Sequence, residues 1–329
     1  MTPTASTTRP IEFNRRAALT GMAGALALGG LATAAEEAPS PAPAAPGPFM
    51  LGLNTATIRG QKLGIVEIVD IVSKAGYQCL EPWLDEINRY KDEGGSLEDL
   101  GKRIRDAGLT VESAIDFFEW AADDPERRRK GLESARRTMD TLRKIGAKRV
   151  AAPAAGVTDA PVELPRLAER YRAVLELGDE FGVVPAVEVW GFSKTLGNLA
   201  EAVYVATAAG HPKACVLPDV YHLHRGGSSF EGLRLVNPAA IPAFHLNDYP
   251  EVPDPSQLND SDRVYPGDGV APIRWILETM AAGGSPMMLS LELFNKEYWA
   301  QDPAVVAATG LRKMRELVDP IRVPAPAGS

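Results

Sequence analysis

From Phe49 onward the chain repeats one pattern eight times: a short apolar run, a polar break, then a longer stretch with apolar positions three or four apart. The short runs are FMLGLNT, YQCLEPW, TVESAIDFF, RVAAPAA, VPAVEVWG, ACVLPD, PAFHLND and MMLSLELF. Short, continuously apolar runs bounded by breaks predict buried parallel strands, which are covered on both faces. The longer stretches predict helices over Ile65–Ala75, Leu97–Ala107, Pro125–Ile145, Leu164–Phe181, Leu199–Ala209, Pro272–Ala282 and Pro303–Val318, with a short helix after the sixth strand. Gly182 stops the fourth of these, as a left-handed cap would. Eight strand–helix units over some 270 residues predict an α/β protein, a (β/α)8 TIM barrel. The rival, an open doubly wound sheet, carries a glycine-rich first turn for a nucleotide. The segment LNTATIRG after the first strand is not one.

The two ends break the pattern. Residues 1–35 read as a twin-arginine signal peptide: Arg15-Arg16 precede a weakly apolar Gly/Ala-rich run that ends in an A-x-A-like site at Ala32-Thr33-Ala34. The run is too short and too weakly apolar for a membrane anchor, so no membrane span is expected after cleavage. Residues 36–48 form a Pro/Ala linker expected to stay extended and unpacked. The barrel is expected over 49–320, with a flexible tail over 321–329. The expected location is periplasmic or extracellular.

Composition narrows the class. Of 329 residues, 45% are apolar and 24% charged, as in a globular domain with a sizeable core. A net charge of −8 argues against a nucleic-acid partner, since phosphate binding needs a basic face. Cys79 and Cys215 fall in separate strands and are expected as buried free thiols. A homo-oligomer is compatible with this composition.

Chemistry concentrates at the strand ends. Glu188, Asp219, His245 and Glu292 fall at or near the ends of strands five, six, seven and eight, the end where barrel enzymes keep their active residues. Alternation in strands five, seven and eight puts Glu188, His245 and Glu292 on the face opposite their aliphatic neighbours, so these look inward. A buried carboxylate must be paired or bound to a metal. No lysine or arginine sits on the inward face of these four strands, which favours a metal. Three carboxylates and one imidazole suit one divalent ion, Mn²⁺ first, with Mg²⁺, Co²⁺ or Zn²⁺ as the other candidates. Glu188 and Glu292, on facing sides, are placed to move a proton on and off a carbon next to a carbonyl. The loop Tyr249–Gly269, long for such a repeat, is expected to cover the pocket. Asp248 is a candidate partner for the His245 ring, and Glu81 a candidate ion pair.

The motifs VEVW with Glu188, PDVYH with Asp219 and His222, FHLND with His245 and LSLEL with Glu292 resemble the xylose-isomerase-like barrels. That family includes sugar phosphate isomerases and epimerases, ketose 3-epimerases, hydroxypyruvate isomerase and inosose dehydratase. Asp262–Gly269, reading DRVYPGDG, is similar to the family's loop after strand seven. The resemblance implies that Glu188, Asp219, His245 and Glu292 hold the metal, with Glu188 and Glu292 as the acid–base pair. It implies that His222 and Arg263 hold the substrate; Trp190, Lys194 and Asn54 are further candidate contacts. Trp83, Phe117, Phe118 and Trp190 are candidates for an apolar wall against a sugar face.

The expected activity is therefore that of an isomerase or epimerase acting through an enediolate on an unphosphorylated ketose or keto-sugar. No glycine-rich phosphate loop follows strand seven or eight, and Gly283-Gly284 lies at the wrong end of the barrel for one. The same enolisation serves a lyase or dehydratase of a keto-sugar, keto-glycoside or inosose. A non-catalytic exported sugar-binding protein would keep the aromatic wall but not the metal set.

Overall fold

The inward-facing residues of the eight runs close into a ring. A computed structural model describes residues 45–323; the expected signal peptide, most of the linker and the last six residues lie outside the described residues. Strand one, Phe49–Asn54, pairs in parallel with strand two, Cys79–Glu81, on one side and with strand eight, Met287–Leu291, on the other. Strand seven, Ala243–Leu246, pairs with strand eight. Strand four, Arg149–Ala152, pairs with strand five, Val184–Glu188, which pairs with strand six, Val216–Leu217.

Two thinner joints complete the circle. The run predicted as strand three is no continuous strand. It makes parallel bridges to strand two's flank at Cys79–Thr110 and Trp83–Ile115, and Ala114 exchanges backbone hydrogen bonds with Arg149 and Ala151. Strands six and seven meet through a bridge between Asp219 and His245. Helices over Ile65–Ala75, Leu97–Asp106, Pro125–Ile145, Leu164–Phe181, Leu199–Ala208, Ile273–Ala281 and Pro303–Val318 surround the ring. A further helix, Leu84–Asp92, follows strand two without having been expected, because its polar sequence carries only a narrow apolar stripe.

The core has two parts. The larger packs helices against the outside of the ring. The smaller fills the ring itself with Cys79, Ile115, Ala151, Ala186, Cys215, Leu217, Ala243 and Met288. Both cysteines are buried and free. Because side chains alternate along a strand, the polar layer follows from these residues two positions at a time. Cys79 leads to Glu81, Ala186 to Glu188, Leu217 to Asp219, Ala243 to His245, and Met288 through Ser290 to Glu292.

The end segments do pack in part. Ala45–Pro46 pairs antiparallel with Arg322–Val323, and Pro48 O accepts the Met287 N–H at 3.1 Å. The expectation of an unpacked linker therefore does not hold for its last residues. Among the described residues no helix is long and apolar enough to cross a membrane.

The loop after strand seven is fastened by one side chain. Buried Asp248 accepts backbone N–H groups from Tyr249 at 2.8 Å, Gly267 at 2.9 Å, Gly269 at 3.0 Å and Ala271 at 3.0 Å. It is thus the loop's anchor, and among its hydrogen bonds none goes to His245. Asp248→Ala leaves those donors without an acceptor and should destabilise the protein by about 2 kcal/mol. Limited proteolysis should then cut between residues 250 and 262 before the barrel; a loop as resistant as in the parent protein would show that Asp248 is not its anchor.

Candidate metal centre

Four side chains meet at the inner end of strands five to eight. Asp219, just past strand six, starts the short helix Val220–Arg225, and its Oδ1 caps the His222 N–H at 2.7 Å. Its Oδ2 is left to face inward, where it accepts from Asn247 Nδ2 at 2.8 Å. His245 is fully buried in strand seven, and its Nδ1 lies 3.2 Å from Glu292 Oε2, 3.7 Å from Asp219 Oδ2 and 3.7 Å from Glu188 Oε1. Asp219, His245 and Glu292 each offer one ligand atom within 4.8 Å of the others; Glu188 approaches the same Nδ1 from outside that group.

This donor set fits a divalent cation. Ligand atoms bonded to one ion at about 2.1 Å stand roughly 3 Å apart, near the His245–Glu292 separation. Both ring nitrogens of His245 and Glu188 Oε2 lack an aligned hydrogen-bond partner, although they are buried among charges. Buried polar atoms without partners ask for an explanation, and a cation reached by Nδ1 supplies one.

The remaining His245 nitrogen, Nε2, lies 3.1 Å from Glu81 Oε2. That is an ion-pair distance with the groups out of line for a hydrogen bond. Glu81 is in turn held by Asn54, whose Nδ2 donates to Glu81 Oε2 at 2.9 Å and to Glu292 Oε1 at 3.0 Å. The Asn54 Oδ1 accepts from Ala56 N and Trp83 Nε1, each at 2.9 Å. Asn54 therefore holds ligands in place and has no group left over for a substrate.

The expectation that the carboxylates lack a cationic partner does not hold. Arg263, from the loop after strand seven, is 1% exposed and its Nη1 donates to Asp219 Oδ2 at 3.0 Å and Glu292 Oε2 at 2.7 Å. Its Nη2 donates to Asp260 Oδ1 at 2.6 Å, and its guanidinium lies over the rings of Tyr221 and Phe294. Strand register could not reveal it, because the cation enters from a loop. Carboxylate oxygens carry lone pairs enough to accept from arginine and still bind an ion.

Charge separates the two glutamates. Burial pushes Glu188 up to about 8; the neighbouring Glu292, Asp219 and Glu81 add to this and His245 opposes it. Burial would raise Glu292 too, but His245 and Arg263 outweigh it and hold the carboxyl at about 2. With no ion bound, Glu188 is therefore the more readily protonated of the two. Burial and the Arg263 charge keep His222 well below the ordinary histidine range, so its ring is neutral. Two donors face that ring, the Gly191 N–H at Nδ1 and Arg263 Nη2 at Nε2. A neutral imidazole accepts at one nitrogen only, so only one of these contacts is a hydrogen bond at a time.

Above the carboxylates lies a cavity of about 190 Å³ lined by Glu188, Glu292, His222, Asp260, Arg263 and an arc of aromatic rings. Trp83, Phe117, Trp190 and Phe294 belong to that arc, whereas Phe118 is buried in the outer core. Phe192 belongs to it as well; it sits in the turn after strand five, beyond the reach of the strand's alternation, and so escaped the sequence. Lys194 is exposed and is not among the lining residues.

Comparison with known proteins places this site among relatives. Residues 69–317 match the family described as xylose isomerase-like TIM barrel. An inosose isomerase of Bacillus velezensis is 28% identical over 240 residues, covering 70% of this chain and 84% of the relative. A 3-dehydroshikimate dehydratase of Pseudomonas putida is 22% identical over 258 residues, covering 78% of this chain but 40% of the relative. The zinc-bound crystal structure of the IolI protein superposes with a TM-score of 0.75 at 22% identity, over 82% of this chain and 98% of that one. An L-ribulose 3-epimerase superposes with a TM-score of 0.68 at 20% identity, over 82% and 94% of the two chains.

Glu81→Gln keeps the side chain's shape and removes the charge behind His245. The affinity of the chelator-treated protein for Mn²⁺ or Co²⁺ should fall by about 10–100-fold, read by calorimetry. An unchanged affinity would mean that His245 is held without Glu81.

Proposed function

The chain belongs to the xylose isomerase-like TIM-barrel family, and within it we propose a divalent-metal-dependent isomerase or epimerase of an unphosphorylated keto-sugar. One observation carries the reading: three carboxylate oxygens converge on the unpartnered Nδ1 of His245, and two of them belong to Glu188 and Glu292, which line a cavity. The relatives named above include an inosose isomerase, a 3-dehydroshikimate dehydratase and an L-ribulose 3-epimerase.

Glu188, Asp219, His245 and Glu292 would hold the ion, which when bound polarises the substrate carbonyl and lowers the acidity barrier at the adjacent carbon. Ionised Glu292 removes the proton from that carbon, giving an enediolate. Glu188, on the facing side, is the other carboxyl of the pair and would pass a proton to the adjacent atom or to the opposite face at a moment when it faces the substrate and not the ion. Pairs of carboxyls whose surroundings drive their proton affinities apart are how one site holds an acid and a base at once. Arg263 and the neutral His222 ring line the cavity and orient the substrate's oxygens. Trp190 gives its ring an apolar face. The dehydratase among the relatives supports a second reading, in which the same proton removal is followed by loss of a hydroxyl from the next carbon.

The substrate is read as unphosphorylated on charge. Among the described residues Arg263 is the one cation lining the cavity, and it is already committed to Asp219, Glu292 and Asp260. Export by the twin-arginine leader, with Mn²⁺ inserted before export, is part of this proposal; affinity order alone would favour zinc or copper outside.

Incubation with neutral keto-sugars and inososes in deuterated water should put deuterium next to the carbonyl, read by NMR, and Glu188→Gln or Glu292→Gln should slow it by at least ~10²-fold. Exchange at the parent rate in metal-loaded Glu292→Gln would remove the proposed base. In the metal-free protein, ¹³C NMR should find one glutamate carboxyl titrating near pH 8, absent from Glu188→Gln. A spectrum without that signal would overturn the assignment of the acid.

A further inference from the structure

We infer that the rim of the cavity is a second binding subsite, built from Phe117 and Phe192, for a second sugar ring or aglycone attached to the substrate. Resting on the proposed keto-sugar reading, this makes the substrate a glycoside rather than a free monosaccharide. Two observations meet here. The cavity, with Phe117 and Phe192 among the residues at its edge, is small as a whole, about 190 Å³, against roughly 300–1,000 Å³ for pockets that enclose drug-sized ligands. It has room for a single ring over the carboxylates.

The rim is apolar where apolar exposure is costly. Among the described residues the exposed large aromatic side chains are Phe117 at 41%, Phe192 at 48% and Tyr204 at 44%, and the first two line this one mouth. They flank half-buried Trp190. Phe117 meets it edge-on with centroids 4.8 Å apart, and Phe192 stacks on it at 5.2 Å and 30°. Phe117 is braced on its other side by Trp83 at 5.3 Å. The result is a continuous aromatic surface that starts beside Glu188 and runs out to solvent. The apolar C–H face of a pyranose, or an aromatic aglycone, matches such a surface, since its polar edge stays wet while its face is covered. Core filling does not account for rings that are half exposed.

The consequence is a graded site. The ring that carries the ketone sits above Glu188 and Glu292, and the attached group lies across Phe117 and Phe192. Because the outer contact is apolar and shape-tolerant, the attached group can vary while the inner ring is held in register.

The test uses non-reacting sugars and the full chain, so that it reads binding and not turnover. Intrinsic tryptophan fluorescence, reporting on Trp83 and Trp190, is titrated with glucose, cellobiose and phenyl β-glucoside. Both glycosides should bind about tenfold more tightly than glucose. That gap should shrink to about twofold in the Phe117→Ala/Phe192→Ala double variant and persist in Phe192→Tyr, which keeps the ring. Equal affinities for glucose and the two glycosides, or a gap that survives in the double alanine variant, would overturn the outer subsite. Failure of the deuterium-exchange assay with this gap intact would sink the proposed chemistry and leave the subsite standing. Exchange without the gap would do the reverse.

Discussion

Four carboxylates, Glu81, Glu188, Asp219 and Glu292, are buried around one imidazole at the mouth of this barrel. A carboxylate taken out of water costs several kcal/mol unless something compensates it. Everything notable at the C-terminal end answers that constraint. His245 stands between Glu81 and the other three. Arg263 reaches in from a loop to two of them, and Asn54 and Asn247 donate to three. Glu188 Oε2 and Glu81 Oε1 are buried with no donor to accept from, and of these two glutamates burial and like charge raise the proton affinity of Glu188.

The barrel was legible because its signal is periodic and local. Eight apolar runs with alternating inward positions dictate which residues share the interior, and Glu188, Asp219, His245 and Glu292 follow from Ala186, Leu217, Ala243 and Met288 by register. What escaped depends on contacts that periodicity does not encode. The third run pairs through bridges, because its polar Glu112, Ser113 and Asp116 break the continuous apolar pattern. The buried cation escaped because Arg263 lies 18 residues beyond His245, in a loop whose path is set by Asp248 and not by strand spacing. Asp248 looked like a partner for the histidine ring, and Glu81 takes that place because strand two stands nearer to it across the ring.

The mouth divides labour between a rigid floor and adaptable walls. The floor's side chains come from strands or from one or two residues after them, so their positions are fixed to the packed interior. The walls come from outside the regular strands: Phe117 from the end of the third run, Phe192 after strand five, Arg263 and Asp260 after strand seven. Loops tolerate change where strands do not, and function placed on them varies without disturbing the core. Chemistry and recognition are thus carried by different parts of one surface.

The pairing of strand one with strand eight has a consequence for biogenesis. Asn54 holds Glu292 across 238 residues of sequence, and that contact exists only once the last strand has been made and has docked beside the first. Until then Glu81 and Asn54 lack Glu292, and the half-formed interior carries acid groups without their full set of partners. The site therefore waits on the eighth strand, and only the closing helix Pro303–Val318 and the pairing of Arg322–Val323 with the first residues of the fold come later in the sequence.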